Sequence, residues 1–179
     1  KIFVDTRYDK KSGVLFARKH RWAVPDPQGR PWARPYPYVG FHAALPAAKG
    51  FETDQAAFLG SNGELCAPRA VTVGRVTNTE GRWSDGIASL LCRVVLKPGE
   101  EKKLIFLLGV VDSEAEALSI VHRYEKHGQV DLECARAKAL WAVMVDGLQA
   151  DTPDHSINLL INRWLPYQAI GCRYWARTA

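Results

Sequence analysis

The sequence predicts a β-domain of the sandwich class followed by helices. Up to Val111, short apolar segments alternate with turn-forming residues at the rhythm of antiparallel strands. At Asp112 the apolar period changes to that of helices, and Ser113 and Glu116 have the spacing of a capping box. Strands followed by helices are typical of a β-domain that leads into a helical region.

Seven strand segments make up the predicted β-domain. The first two form a hairpin within residues 1–24, around a turn at residues 10–13. The other five lie at residues 38–45, 51–58, 71–76, 87–96 and 102–111. The last of them, KKLIFLLGVV, is apolar on both faces, so we expect a central strand. The proline-rich residues 25–37 and the polar residues 78–85 are predicted loops.

Three helices follow the predicted β-domain. The first begins at the capping box and ends near Lys126, with Gly128 as its stop, and the second covers residues 130–148. The third has Thr152 as N-cap and Pro153 in its first turn, and Pro166 is expected to interrupt it near residues 162–165. Its apolar stripe consists of Ile157, Leu160, Ile161, Trp164 and Leu165. A stripe of this size needs a large partner surface.

Charge and cysteine usage exclude several classes of function. The net charge is +5, and the basic residues are scattered, which argues against nucleic-acid binding. The four cysteines, at positions 66, 92, 134 and 172, have no metal-ligand spacing, so no metal site is expected. Cys134 and Cys172 fall on apolar helical faces, where a buried, reduced thiol is usual. This favours a reducing, cytoplasmic compartment.

Single residues do not identify an active site. Glu52 and Asp54 share a face of a predicted strand, and a carboxylate pair is the minimum for glycoside acid/base chemistry. Paired surface carboxylates are nevertheless common. No nucleophile motif or phosphate-binding loop is present. The aromatic residues of 22–41 could stack on sugar rings, although core packing is their commoner role.

Five segments taken together carry a more specific pattern. NRWLPYQ (162–168) and CRYWART (172–178) match N-x-W-L-x-Y-Q and C-R-x-W-A-R-[ST]. YDKKSGVLFAR (8–18) matches Y-D-x-x-[ST]-G-x-L-x-A-R, and FETDQAAFLG (51–60) is similar to F-x-T-D-R-x-x-F-L-G. LKPGEEKKLIFLLG (96–109) matches L-x-P-G-E-x-x-x-[LIV]-x-F-L-L-G. On these segments the chain resembles the inverting glycoside phosphorylases of glycoside hydrolase family 94, formerly glycosyltransferase family 36, and their cyclic β-1,2-glucan synthase branch.

The resemblance implies a domain order. Members have an N-terminal β-sandwich of the galactose-mutarotase-like supersandwich type, a helical linker, an (α/α)6 catalytic barrel and a small C-terminal β-domain. Residues 1–111 would be the C-terminal part of the sandwich. Residues 112–150 would be the linker, and residues 151–179 would begin the barrel with its first helix.

The resemblance also implies a function. Members cleave β-glucosidic bonds with inorganic phosphate, using a barrel aspartate as general acid. In relatives that aspartate and the phosphate-binding residues follow the matched segment, so no catalytic residue is carried over and this stretch is expected to be inactive alone. No cofactor is implied besides phosphate as co-substrate. The expected partners are a β-glucan oligosaccharide, the remaining barrel domain and a second copy in a homodimer. The expected location is cytoplasmic, including the cytoplasmic domain of an inner-membrane glucan synthase.

Asp54 and Gln55 are the candidate substrate-binding residues. In the family the sandwich lies against the barrel and contributes to sugar recognition. Asp54 can accept hydrogen bonds from sugar hydroxyls, whereas Gln55 can both donate and accept. The alternative is that Asp54 only ties down a turn. Gln55 replaces the usual arginine, and SLLC at 89–92 departs from the D-P-C-x-x-L pattern of the glucan synthase branch.

The interpretation is therefore a fragment of a glycoside phosphorylase that acts on β-linked glucans. One alternative is a non-catalytic, carbohydrate-binding β-sandwich module with a structural helical tail. Another is a purely structural or dimer-forming piece.

Overall fold

The β1–β2 hairpin forms where the sequence predicts it. The computed structural model describes residues 2–21, 27–29, 36–61 and 63–175, without the side chains of residues 2, 21, 174 and 175. β1 (Ile2–Asp9) and β2 (Val14–Arg21) pair antiparallel over their whole length. Asp9 accepts hydrogen bonds from the Ser12 hydroxyl and the Lys11 backbone N–H, and Gly13 has φ 70°. The Y-D-x-x-[ST]-G pattern is therefore a turn motif.

The larger sheet adds three strands to this hairpin, β3 (Val39–Leu45), β5 (Gly81–Trp83) and β7 (Ile105–Val111). Its five strands have the order β5-β1-β2-β3-β7, with all neighbours antiparallel. Within the described residues β7 is an edge strand, so the prediction of a central strand is wrong. Its alternate residues Phe106, Leu108 and Val110 are exposed. The prediction assumed that both apolar faces of β7 are covered, as in a central strand. One of these faces is exposed in this chain.

The main core lies on one face of this sheet, beneath helix α3 (Glu114–Tyr124). The buried side chains are Val14, Phe16, Val39, Phe41, Ala43 and Val111 of the sheet and Ala117 and Val121 of the helix. Gly109 is required beside Phe41, because a Cβ there would lie 2.7 Å from the ring. Half of the predicted capping box is confirmed, because the Ser113 hydroxyl accepts the Glu116 N–H. The Glu116 carboxylate accepts the N–H of Asp112 instead of that of the N-cap Ser113.

A second, two-stranded sheet covers part of the opposite face. It consists of β4 (Gly50–Asp54) and β6 (Gly86–Leu91). The rings of Tyr8 and Phe51 stack at 4.2 Å, and the Thr6 hydroxyl donates to the Thr53 hydroxyl at 2.8 Å. The chain thus has antiparallel sheets followed by helices, as predicted.

Two predicted strand segments contain short helices instead. Residues 55–58 belong to α1 (Gln55–Leu59), since Asp54 caps its first turn and Gly60 ends it. Residues 71–73 belong to α2 (Arg69–Val73), which is bracketed by Pro68 and the left-handed Gly74. Conversely, β5 lies within the predicted loop 78–85, and residues 92–96 contain no strand. Most of the predicted loop 25–37 lies outside the described residues.

Residues 126–179 form a second compact unit. Its helices are α4 (Gln129–Val145), α5 (His155–Leu159) and α6 (Leu165–Ile170), with π-helical turns at Leu160–Trp164 and Gly171–Trp175. The N-cap of α5 is Asp154, which accepts the Ser156 N–H at 2.8 Å, so the prediction of Thr152 is wrong. The interruption expected from Pro166 is confirmed as the π-helical turn that precedes it.

Two asparagines of this unit clamp the segment that leads into α5. Asn158 donates to the Thr152 carbonyl and accepts its N–H, both at 2.9 Å. Asn162 makes the same pair of contacts with Ala150, at 2.8 and 2.7 Å. Since the two side chains are one helical turn apart, they bind two alternate residues of the segment before the helix, Ala150 and Thr152. The asparagine of the NRWLPYQ motif therefore has a structural role.

Candidate functional site

A cleft of about 320 Å³ lies where β4 ends, beside α1 and the turn between β5 and β6. We call it the β4–α1 cleft. Its lining residues are Asp54, Gln55, Ala56, Leu59, Gly60, Trp83, Ser84 and Asp85. Both predicted site residues line this cleft. The structure adds Trp83, Ser84 and Asp85, which the sequence placed in a polar loop.

Asp54 holds the rim of the cleft in place. Its Oδ1 accepts the Ala56 N–H at 2.9 Å, which caps α1. Asp54 therefore fixes this turn, which is the part of the alternative interpretation that the structure shows. Because an ionised carboxylate has about four acceptor sites, this one hydrogen bond leaves acceptor capacity for a ligand. Sugar contact by Asp54 and Gln55 stays a prediction.

The indole of Trp83 is fixed by a buried hydroxyl network. Its N–H donates to the Thr6 and Thr53 hydroxyls at 3.0 and 2.8 Å. Both threonines are buried, and the Thr53 hydroxyl also donates to the Thr79 carbonyl at 2.6 Å. With its polar edge engaged, Trp83 has a fixed orientation at the cleft. A signal for this arrangement is present in the sequence. Trp83 is a strand-forming residue, and the Ser-Asp-Gly that follows it has the composition of a turn.

Glu52 lies two residues before Asp54 in β4 and is only 1% exposed. Its Oε1 accepts the Thr53 and Asp54 N–H groups at 3.0 and 3.2 Å, and its Oε2 accepts the Thr77 N–H and hydroxyl. Burial alone would raise the pKa of Glu52, but these hydrogen bonds outweigh it, so the pKa is lowered. The register of β4 shifts between Glu52 and Asp54. Glu52 is therefore a scaffold carboxylate and does not form an acid/base pair with Asp54.

The other candidate aromatic residues and the cysteines do not form a site in the described part of the chain. Phe41 is buried in the core, whereas Tyr36 and Tyr38 are exposed and contact each other. Trp22 and Trp32 lie outside the described residues. Cys134 and Cys172 are exposed, so the prediction of buried thiols is wrong, because the helical faces that carry them are open.

The described ranges contain neither a metal cluster nor a helix that could span a membrane. No group of three or more His, Cys, Asp and Glu residues there could hold a metal ion. No described helix is both long enough and apolar enough to cross a membrane.

Comparisons with known proteins give the family of the chain. Residues 1–127 match the family model for the glycosyl hydrolase 94 supersandwich domain. The chain is 33% identical to cyclic beta-(1,2)-glucan synthase NdvB of Rhizobium meliloti (strain 1021), over 99% of this chain and 6% of that protein. It is 30% identical to solabiose phosphorylase of Paenibacillus borealis, over 78% of this chain and 18% of the relative.

A third relative has a different named substrate. The chain is 31% identical to N,N'-diacetylchitobiose phosphorylase of Vibrio furnissii, over 79% of this chain and 18% of that protein. The chain therefore spans less than a fifth of the length of each of these relatives. The match of residues 1–127 covers well over half of the sequence, and the chain belongs to the glycosyl hydrolase 94 family, in which this region is the supersandwich domain.

Proposed function

We propose that this chain belongs to an enzyme that acts on β-linked glucans by inverting phosphorolysis, and that its β4–α1 cleft binds the sugar. The observation that carries the proposal is the cleft itself, where two carboxylates, an amide and a hydroxyl surround a fixed indole. The names of the relatives support sugar chemistry, since they include a glucan synthase and two phosphorylases.

The lining of the cleft matches the chemistry of a pyranose. Asp54 and Asp85 can accept hydrogen bonds from sugar hydroxyls, and Gln55 and Ser84 can both donate and accept. The aromatic face of Trp83 suits the apolar face of a sugar ring. Glu52 cannot serve as a general acid here, because its oxygens already accept hydrogen bonds from Thr53, Asp54 and Thr77. The chain's role in this proposal is recognition.

The remaining parts of the proposal come from the family. Residues 1–111 are part of the sandwich, residues 112–150 are the linker, and residues 151–179 begin an (α/α)6 barrel that supplies the general acid. Inorganic phosphate is the co-substrate and no other cofactor is needed. The enzyme works in the cytoplasm, with a homodimer as its assembly.

The test is a kinetic comparison in a longer protein that contains the barrel. Gln55→Ala and Asp85→Ala should each raise the KM for the acceptor sugar about tenfold, the effect of one lost sugar hydrogen bond. The kcat should stay within about twofold, since binding alone is lost. Asp54→Asn should act similarly. Asp54→Ala is less informative, because losing the helix cap costs about 0.5–2 kcal/mol.

Glu64→Ala is the matched control, because Glu64 is exposed and lies outside the lining of the cleft. Its acceptor KM should not change. If the cleft variants lower the melting temperature and leave the acceptor KM alone, the cleft is scaffold and the proposed sugar site is wrong.

A further inference from the structure

A second cleft, of about 290 Å³, lies beside α1 and α2 and is lined by cationic and apolar side chains. Its lining residues are Ala57, Arg69, Ala70, Val73, Arg75, Val76 and Thr77. We call it the Arg69–Arg75 cleft. α1 contributes Ala57 here, whereas it contributes Gln55, Ala56 and Leu59 to the β4–α1 cleft. The two clefts therefore have different lining residues.

No salt bridge among the described residues pairs the two arginines of this cleft. Neither Arg69 nor Arg75 forms an ion pair with a described residue. A third cation lies close by, because the Arg93 guanidinium donates to the Gly74 carbonyl at 3.0 Å, next to Arg75 in the chain. Other exposed arginines of the chain do have carboxylate partners, for example Arg7 and Arg18 with Glu114. An unpaired cationic cleft can accept an anion from solution.

The backbone around the two arginines is well fixed. Gly74 ends α2 in the left-handed conformation, and the Arg75 N–H then donates to the Ala70 carbonyl at 3.1 Å. The aliphatic part of Arg69 packs on Gly60, where an added Cβ would lie 3.1 Å from Arg69 Cβ and Cδ. Gly60 is the last residue of the FETDQAAFLG segment. This glycine thus makes room for the arginine side chain.

We propose that the Arg69–Arg75 cleft binds a phosphate-type oxyanion, either inorganic phosphate or the phosphate group of a sugar phosphate. Guanidinium groups match the geometry of phosphate oxygens and stay protonated in proteins. Two of them balance the charge of about −1.5 to −2 that a phosphate monoester carries near pH 7. The rest of the lining consists of two alanines, two valines and Thr77, so no carboxylate of the described residues lines the cleft.

The position of the anion within the cleft follows from Thr77. Both donors of Thr77, its N–H and its hydroxyl, are directed to the buried carboxylate of Glu52. Thr77 therefore has no donor left for an anion, and the charge of Glu52 lies behind it. The oxyanion is held at the arginine side of the cleft. The inference does not depend on the proposed sugar site, because the two clefts use different polar groups.

The test is a ³¹P NMR titration of the full 179-residue chain at constant ionic strength, with inorganic phosphate in one arm and glucose 1-phosphate in the other. At least one ligand should show saturable binding. Arg75→Gln should weaken it about tenfold or more, since a charge-assisted contact is lost. Arg75→Lys should weaken it less, because it keeps the charge and loses the fork geometry. Binding in one arm alone identifies whether the free ion or the sugar phosphate is the ligand.

Arg123→Gln is the control, because it removes an exposed arginine of α3 outside the cleft and should leave the affinity within about twofold. Arg69→Gln is a second cleft variant, and circular dichroism shows which variants fold. If Arg69→Gln disturbs folding through its contact with Gly60, the comparison of Arg75→Gln with Arg75→Lys decides the result. Absence of saturable binding in both arms, or equal binding by Arg75→Gln and the unaltered chain, would overturn the inference.

Discussion

The purified 179-residue chain should self-associate, because large apolar side chains are exposed in both units. In the first unit, Phe106, Leu108 and Val110 lie on the open face of β7, and Leu108 is 78% exposed. The outer edge of β7 has no strand partner within the described residues, so its backbone can pair with another chain. The second unit exposes Ile157, Leu159, Leu160, Trp164, Leu165 and Tyr167.

The expected effect is large. Burying one large apolar side chain is worth about 1.5–3 kcal/mol. The exposed apolar residues of the two units therefore favour association. In sedimentation velocity, Leu108→Thr together with Phe106→Thr should shift the distribution toward monomer. Deleting residues 152–179 should raise the solubility. Val95→Thr is the control, since Val95 is as exposed as Leu108 but lies outside the sheet. A monodisperse monomer of the unaltered chain would contradict this prediction.

Glu52→Ala should lower the free energy of unfolding by about 2–5 kcal/mol, since several donors lose a buried acceptor at once. These donors are the backbone N–H groups of Thr53, Asp54 and Thr77 and the Thr77 hydroxyl. Glu52→Gln should cost less, because it keeps one acceptor oxygen. The exposed Glu64→Ala variant should change stability by less than about 0.5 kcal/mol. Urea denaturation at neutral pH measures all three.

The pH dependence of stability gives a second readout of the same carboxylate. The folded-state pKa of Glu52 is lowered from its ordinary value of 4.5. Its contribution is therefore fully present above pH 4.5 and is lost as the pH falls through the folded-state value. Glu52→Gln cannot titrate, so its stability should fall less steeply below that pH. Parallel curves for the variant and the unaltered chain would show that Glu52 is not the stabilising carboxylate.

The sequence predicts features that are encoded by neighbouring residues. The β1–β2 turn follows from Asp9, Ser12 and Gly13, which contact one another within five residues. The capping box follows from Ser113 and Glu116, three residues apart. Local hydrogen bonds of this kind need no partner from elsewhere in the fold.

Features that depend on distant contacts could not be predicted in the same way. Residues 81–83 lie in a segment that looks polar, but they form a strand because they pair with β1. The Thr6 hydroxyl of β1 also accepts hydrogen bonds from the Gly81 N–H and the Trp83 indole N–H. Glu52 looked like a surface carboxylate, and its donors from Thr77 are 25 residues away. The sequence singled out Asp54 and Gln55 as candidates because they are part of a family motif. Asp85 lines the same cleft because folding brings the turn between β5 and β6 beside α1.

Saturation-transfer difference NMR can measure sugar binding by the β4–α1 cleft in this chain, because the method tolerates self-associated protein. With a β-linked glucose disaccharide, the unaltered chain and the Glu64→Ala control should transfer saturation to the sugar ring protons. The double variant Gln55→Ala with Asp85→Ala should lose most of this transfer, since two polar contacts are removed. Equal transfer in the double variant, or none in the unaltered chain, would contradict the claim.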